Sequence, residues 1–119
     1  FYSVHAAHWN NDKNLAVKKL LQKSIDHEEM MVLEIHYHRV VTRICSEYVA
    51  PLLYVYENLF PNGQKEFWII MPRYRQSLQE YLKSQIRQLS FEKCTYWALT
   101  IAQALEQLHR CDLTHRDLK

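Results

Sequence analysis

The chain has 119 residues, a net charge of +2 and 48% hydrophobic residues. This length suits one small domain with a genuine hydrophobic core. The weak net charge gives no reason to expect binding to nucleic acid or to an acidic membrane surface. No apolar run is as long as a membrane span, and no stretch is typical of a signal peptide. We therefore expect neither nucleic acid nor a membrane among the partners.

The cysteines and histidines do not predict a disulfide or a metal site. The three cysteines, Cys45, Cys94 and Cys111, are far apart and odd in number, unlike a disulfide framework or a paired-cysteine metal site. Free thiols point to a reducing compartment, the cytosol or the nucleus, and we expect a cytoplasmic protein. The seven histidines are scattered. His36 and His38, for example, point to different sides of a helix, so we expect no metal ligands here.

Glycine is nearly absent, since Gly63 is the only one in the chain. A complete domain normally has several glycines at turns and in phosphate loops. Phe1 already lies in a strand-like run, and Lys119 ends a motif abruptly. We therefore expect the chain to be a piece of a larger domain.

The first part of the chain predicts a hairpin of two strands. Residues 1–9 have the pattern of a strand, and residues 10–14 form a polar turn cluster. Residues 15–17 then give a short apolar strand. The two strands should pair with each other.

A long helix is predicted from about Ser24 to Arg43. The Ser24 hydroxyl can accept a hydrogen bond from a free backbone N–H at the start of the helix. Acidic residues in the first turns suit the helix dipole. Apolar residues recur at helical spacing; they are Met30, Leu33, Tyr37, Val40, Val41 and Ile44.

The middle of the chain predicts two more strands. Residues 49–56 form the first, and Asn62-Gly63 marks a turn after it. The continuous apolar run 67–71 predicts a buried strand. That strand should end at Pro72, because proline has no backbone N–H to donate.

Two helices are predicted in the last part, over residues 77–85 and 90–111. The second helix carries apolar residues on one face at steps of three and four; they are Ala98, Ile101, Ala102, Leu105 and Leu108. Strands with one inserted helix, followed by helices, indicate an α+β fold. Its architecture would be a small antiparallel sheet with one helix, joined to a helical lobe.

The strongest chemical signal is His-Arg-Asp-Leu-Lys at residues 115–119, which follows the long amphipathic helix. This segment resembles the catalytic loop of protein kinases. In that family the aspartate orients the acceptor hydroxyl and takes its proton, and the lysine neutralises charge on the transferring phosphate. The resemblance therefore implies catalytic roles for Asp117 and Lys119. The lysine is similar to that of the serine/threonine class, and five matching residues argue against an ordinary charged turn.

The triplet Ala-Val-Lys at residues 16–18 resembles the strand that carries the ATP-binding lysine of kinases. By this resemblance Lys18 holds the α- and β-phosphates. A slip of one residue would select Lys19. Strand alternation puts the two lysines on opposite faces, and the Ala-x-Lys spacing favours Lys18. The lysine needs a carboxylate from the next helix, and Glu34 stands at a spacing similar to the family's. A register with Tyr37 at this position fits the later apolar residues better, so both registers stay open.

The run 67–71 resembles the strand that leads to the hinge between the two kinase lobes. Met71 would then be the gatekeeper at the back of the adenine pocket. The backbone of the hinge residues Arg73 and Tyr74 would hydrogen-bond adenine. Pro72 stands where the family often has glutamate.

The first residues resemble the tail of the glycine-rich loop and the strand after it. Val4 and Ala16 would sandwich the adenine ring. The last glycine of the family's loop would fall at Tyr2, and the earlier glycines would precede Phe1. A tyrosine backbone approaches phosphate less freely than glycine does.

The resemblance implies a protein-kinase-like fold with a partial N-lobe over 1–71, a hinge over 72–76 and the start of the C-lobe over 77–119. It also implies ATP, Mg²⁺ and a protein substrate, with the metal ligands lying outside this chain. We expect the intact parent to transfer phosphoryl groups from ATP to serine or threonine hydroxyls. We expect this segment alone to be inactive.

Two alternatives remain. A pseudokinase, acting as a binding or scaffolding module on the same fold, is favoured by Tyr2, by Pro72 and by the open register of Glu34. An unrelated mixed α/β interaction domain would require the motif at residues 115–119 to arise by chance. Lys18, Asp117 and Lys119 favour the active enzyme over both.

Overall fold

The computed structural model describes residues 2–9, 12–21, 25–85, 89–116 and 118. The elements in chain order are β1 (Tyr2–Trp9), β2 (Asp12–Leu21), α1 (Ile25–Ile44), β3 (Tyr54–Leu59), β4 (Lys65–Pro72), α2 (Leu78–Gln85) and α3 (Phe91–Arg110). The four strands form one antiparallel sheet in the order β1-β2-β4-β3. This arrangement confirms the predicted small antiparallel sheet with one inserted helix, followed by helices.

Strand β2 is much longer than the short apolar strand predicted over 15–17. It begins at Asp12, which pairs with Trp9, and the register shifts between Ala7 and Trp9. The polar run was predicted as a turn from its side chains. A sheet ladder, however, is made by backbone groups, so a polar side chain on an exposed position does not end it. The last three residues of the polar run, 12–14, therefore belong to β2.

Strand β3 begins later than predicted, at Tyr54 rather than at Val49. In the segment before it, Leu53 still donates to the Ile70 carbonyl of β4 at 2.8 Å, but the residues before Leu53 bond α1. His38 Nε2 lies 2.8 Å from the carbonyl oxygen of Ala50, and the amide of Leu52 donates to Thr42 Oγ1 at 2.9 Å. These contacts use backbone groups that a strand would otherwise pair.

Helix α1 packs its Met31 and Ile35 side chains against the sheet. They are buried together with Leu20, Phe67 and Ile69 from strands β2 and β4, and these side chains form the hydrophobic core cluster. The helix begins at Ile25, close to the predicted start. The predicted cap, Ser24, lies outside the described residues.

Strand β4 lies in the interior of the sheet, between β2 and β3. It ends at Pro72, as predicted from the missing backbone N–H. The β3–β4 turn contains Gly63 at φ 81°, and the amide of Phe60 donates to the carbonyl of Gln64 at 2.9 Å. A positive φ of this size suits glycine, which has no Cβ.

Helices α2 and α3 begin at the two predicted serines. Ser77 and Glu80 bond each other's backbone amides, and Ser90 Oγ accepts from the amide of Lys93. The two helices meet through a T-shaped contact between Tyr81 and Trp97, whose ring centroids are 5.3 Å apart. Among the helices that the structure describes, none is both long and apolar enough to cross a membrane.

Candidate functional site

One face of the sheet brings together most of the residues that the motifs single out. Val4 pairs with Lys18 across β1 and β2, and Lys18 pairs with Ile69 across β2 and β4. Ala16 pairs with Met71. Side chains that lie directly opposite each other share a face, as do alternate residues of one strand. Val4, Ala16, Lys18 and Met71 therefore share the face on which Ile69 joins the core.

Helix α1 covers part of that same face. Its buried Met31 and Ile35 pack with Ile69, and this packing places Glu34 beside the end of the Lys18 side chain. Lys18 Nζ and Glu34 Oε1 form an ion pair between β2 and α1. The Lys18 side chain is 20% exposed and that of Glu34 is 39% exposed. The ammonium is thus held by a carboxylate on a side chain that is partly exposed to solvent.

The structure helps to choose between Glu34 and Tyr37 as the residue that faces the lysine, and between Lys18 and Lys19 as that lysine. Tyr37 has half of its side chain exposed, while Glu34 forms the ion pair with Lys18. This favours the register with Glu34 facing the lysine. Lys19 lies on the opposite face of the sheet, with Nζ 4.4 Å from the centroid of a Trp68 ring. Lys19 is therefore not the lysine of the candidate site.

The apolar residues of the site differ in exposure. Ala16 is buried, Met71 is half-buried, and Val4 is 56% exposed. Ala16 pairs with the small Ala6 on one side and with Met71 on the other. The sheet face next to Lys18 is thus apolar, and it is exposed to solvent on the side of β1. An apolar surface of this kind can cover a flat ring.

The segment after β4 is fixed to β2 by its backbone. The Arg73 amide donates to the carbonyl oxygen of Asn14 at 2.6 Å. Because this amide is engaged, a ligand contact at Arg73 would use its carbonyl oxygen. Tyr74 follows with 62% of its surface exposed.

The end of α3 leads directly into the segment that resembles a catalytic loop. Asp112 adopts a left-handed φ of 57°, its amide donates to the His109 carbonyl, and the Leu113 amide donates to the Leu108 carbonyl, both at 3.0 Å. This bonding pattern is a Schellman motif, in which an aspartate takes the place usually held by glycine. It ends the helix sharply and turns the chain away from the helix axis.

Arg116 has a second left-handed φ, of 62°. A non-glycine residue in this region stores backbone strain, and such strain concentrates at functional sites. The predicted catalytic residues on either side of Leu118, Asp117 and Lys119, lie outside the described residues. Their roles remain predictions from the sequence.

Within the ranges that the structure describes, no three histidine, cysteine, aspartate or glutamate side chains come together in a way that could hold a metal ion. The described residues therefore provide no metal-ligand cluster for Mg²⁺. Lys18 does fit a phosphate, because its ammonium is positively charged and is oriented by Glu34.

One ion-pair cluster that bears on the site has no signal in the sequence. Lys65, at the start of β4, pairs with Glu28 of α1 and lies 3.6 Å from Glu57 of β3. Glu28 was interpreted only as a charge that suits the helix start. Since Lys65 and Glu28 are 37 residues apart, no local pattern could have joined them.

The comparison with protein families agrees with this geometry. The family described as protein kinase domain matches residues 2–119. The match extends over nearly the whole chain, and the chain therefore belongs to the protein kinase family. No curated protein matches the chain significantly.

Proposed function

We propose that the intact protein transfers the γ-phosphoryl group of ATP to serine or threonine hydroxyls of a protein substrate. The observation that carries the proposal is the ion pair between Lys18 and Glu34, on the face that also holds Ala16 and Met71. Protein kinases use such a pair to hold the α- and β-phosphates of ATP. A charged pair beside an apolar surface suits a ligand with a phosphate tail and a flat ring.

Four residues of the chain would have different roles in this reaction. ATP, bound with Mg²⁺ as is general for the family, supplies the phosphoryl group. Lys18 binds the phosphate oxygens, and Glu34 keeps the ammonium of Lys18 in place. Asp117 orients the acceptor hydroxyl and takes its proton. Lys119 neutralises the negative charge that develops on the phosphate oxygens.

The nucleotide base would lie against the apolar part of the same face. Because Val4 and Ala16 share one face of the sheet, both would contact the same side of the adenine ring, and Met71 would close the back of the pocket. The carbonyl of Arg73 and the backbone of Tyr74 would provide hydrogen bonds to the ring edge. The carbonyl of Arg73 is assigned here because its amide already donates to Asn14.

Replacing Asp117 with asparagine in the full-length protein tests the catalytic role. The Asp117→Asn variant should lower kcat about 10²- to 10⁴-fold, because the amide cannot take a proton from the acceptor hydroxyl. The Kd for ATP should change less than about twofold, since the substituted atom acts on the acceptor rather than on the nucleotide. Steady-state phosphorylation of a serine peptide and titration with a fluorescent ATP analogue give the two values.

Asp112 offers a matched control for this substitution. It lies in the left-handed region, which asparagine tolerates well, and no catalytic role is assigned to it. Asp112→Asn should therefore leave kcat unchanged. Equal losses in the two variants, or unchanged turnover in Asp117→Asn, would contradict the assignment.

The serine/threonine preference rests on Lys119 and needs its own assay. Peptides identical except for serine, threonine or tyrosine at the acceptor position should be phosphorylated at the first two residues only. Preferential transfer to tyrosine would overturn this part of the proposal and leave the kinase activity intact.

A scaffolding role is the second candidate, favoured by two sequence departures. Tyr2 stands where the family has a loop glycine, and Pro72 stands where glutamate is common. A full-length protein that binds the ATP analogue but transfers no phosphate to any peptide would support this role in place of the first.

A further inference from the structure

Helix α1 is tied to the sheet at several points along its length. In the middle, Glu34 pairs with Lys18. Towards the C-terminal end, His38 and Thr42 bond backbone groups of the segment before β3. In the N-terminal half, Met31 packs in the core and Glu28 pairs with Lys65 of β4.

Lys65 forms ion pairs with carboxylates from two different elements. Its ammonium contacts Glu28 of α1 and lies 3.6 Å from Glu57 of β3. The hydrogen bond and the charge of Glu28, with a smaller contribution from Glu57, raise the pKa of Lys65 above its usual value. One cation thus links the helix to the β3–β4 hairpin.

The three side chains are partly exposed, from 32% for Lys65 to 51% for Glu57. Exposed ion pairs of this kind add little to the stability of a fold. Their effect on orientation is different, because removing Lys65 would leave two carboxylates facing each other. Like charges at this range repel, and the repulsion would push the N-terminal half of α1 away from the hairpin.

Movement at Glu28 is passed along the helix to Glu34. The two residues are separated by six positions, which corresponds to about 9 Å along the helix axis. Because the C-terminal half is held through His38 and Thr42, displacing the N-terminal half would tilt the helix about its fixed end. Glu34 would then move away from Lys18.

We propose that Lys65 is a positioning residue, which holds α1 against the sheet so that Glu34 stays paired with Lys18. The kinetic consequence of this role rests on the proposed phosphoryl transfer, while the position of the helix does not. Lys65 itself does not touch the substrate. Its removal would lower activity by depopulating the state in which the ammonium of Lys18 is oriented.

A double-mutant cycle in the full-length protein tests whether Lys65 acts through Glu34. Lys65→Met should lower kcat/KM for ATP about three- to tenfold, which corresponds to the loss of one exposed ion pair plus the new repulsion. In a Glu34→Gln background the same substitution should change kcat/KM less than about twofold, because the pair that it positions is already broken. An equal loss in both backgrounds would overturn the proposal.

Two variants serve as controls for the cycle. Lys65→Arg keeps the cation and should retain kcat/KM close to that of the unmodified protein. Arg110→Met also removes a partly exposed ion pair, with Glu106, but it lies on α3 and should change kcat/KM little. A loss in Arg110→Met as large as that in Lys65→Met would show that any lost surface pair has this effect, and would overturn the proposal.

Hydrogen–deuterium exchange tests the position of the helix without any activity. In Lys65→Met the backbone amides of residues 25–34 should exchange at least about threefold faster, whereas those of residues 36–44 should be unchanged. Unchanged exchange over 25–34 would overturn the proposal. If the unmodified protein transfers no phosphate but shows this exchange pattern, the positioning role stands and the proposed function fails.

Discussion

The Cys45 thiol is the least accessible of the three free cysteine thiols. Its side chain is 1% exposed, whereas Cys94 and Cys111 are exposed. Burial raises the pKa of Cys45, and the nearby Cys111 thiol adds to the shift. Since the thiolate is the nucleophile, we expect iodoacetamide at pH 7.5 to alkylate Cys94 and Cys111 quickly and Cys45 at least about tenfold more slowly. Peptide mass spectrometry over a time course measures the three rates.

Denaturant provides the control for this prediction. In urea the burial of Cys45 is lost, and all three thiols should react at similar rates. Alkylation of Cys45 in the folded protein at the rate of Cys94 would mean that the end of α1 opens readily, contrary to its buried position.

At the scale of single residues, the sequence could select Lys18 of the candidate site but could not fully settle its partner. Strand alternation put Lys18 and Lys19 on opposite faces, and the Ala-x-Lys spacing favoured Lys18. The choice between Glu34 and Tyr37 depended on how far α1 is rotated about its axis. That rotation is set by the packing of Met31 and Ile35 on the sheet, which is a tertiary effect.

At the scale of elements, helix α2 begins with a capping box between Ser77 and Glu80. The Ser77 amide donates to Glu80 Oε2 at 2.8 Å, and the Glu80 amide donates to Ser77 Oγ at 3.2 Å. Each side chain thus satisfies a backbone donor that the first turn leaves unpaired. Ser77→Ala should lower the free energy of unfolding by about 0.5–2 kcal/mol, measured by urea denaturation. Gln79→Ala, in the same turn but outside the capping box, should change it by less than about 0.5 kcal/mol.

The same capping box predicts a pH dependence. The hydrogen bonds from Ser77 to the carboxylate lower the pKa of Glu80 below its usual value. A carboxyl group with a lowered pKa in the folded state stabilises the fold above its unfolded pKa of about 4.3. That contribution is lost as the pH falls through the lower pKa of the folded state. Urea denaturation between pH 7 and pH 3 should therefore show a smaller acid-dependent loss of stability in Glu80→Gln than in the unmodified protein. Identical pH profiles would contradict the prediction.

The boundaries of the elements show which local signals were sufficient. The helix starts predicted at residues 77 and 90 and the strand end predicted at Pro72 agree with the structure. In the structure these boundaries are set by serine capping and by the missing proline N–H, which act within a few residues. The starts of β2 and β3 were wrong. The first depends on backbone pairing with β1, and the second on contacts of the preceding segment with α1. Both causes lie in other parts of the chain.

At the scale of the whole molecule, the order of strands and helices was enough to predict the α+β class. Of the contacts that attach α1 to the sheet, only the pair of Glu34 with Lys18 was predicted, as one of two registers. Two sets of contacts fix the helix on the sheet: the buried core and the ion pairs of Glu28 and Glu34. Lys65 and Glu28 are 37 residues apart, and partners so distant are brought together only by the folded sheet. Sequence patterns therefore could not identify Lys65 and Glu28 as a pair that shapes the surroundings of the candidate site.

Ile69 is the least exposed residue of the core cluster between α1 and the sheet. Its side chain is fully buried in the core cluster, and it pairs with Lys18 across β2 and β4. Ile69→Ala should lower the free energy of unfolding by about 2–5 kcal/mol, because it removes buried methyl groups and leaves a cavity between helix and sheet. Leu59→Ala in the same sheet, at a position that is 64% exposed, should cost less than about 1 kcal/mol. Urea denaturation of both variants gives the comparison, and equal losses would mean that the helix is not held by this core.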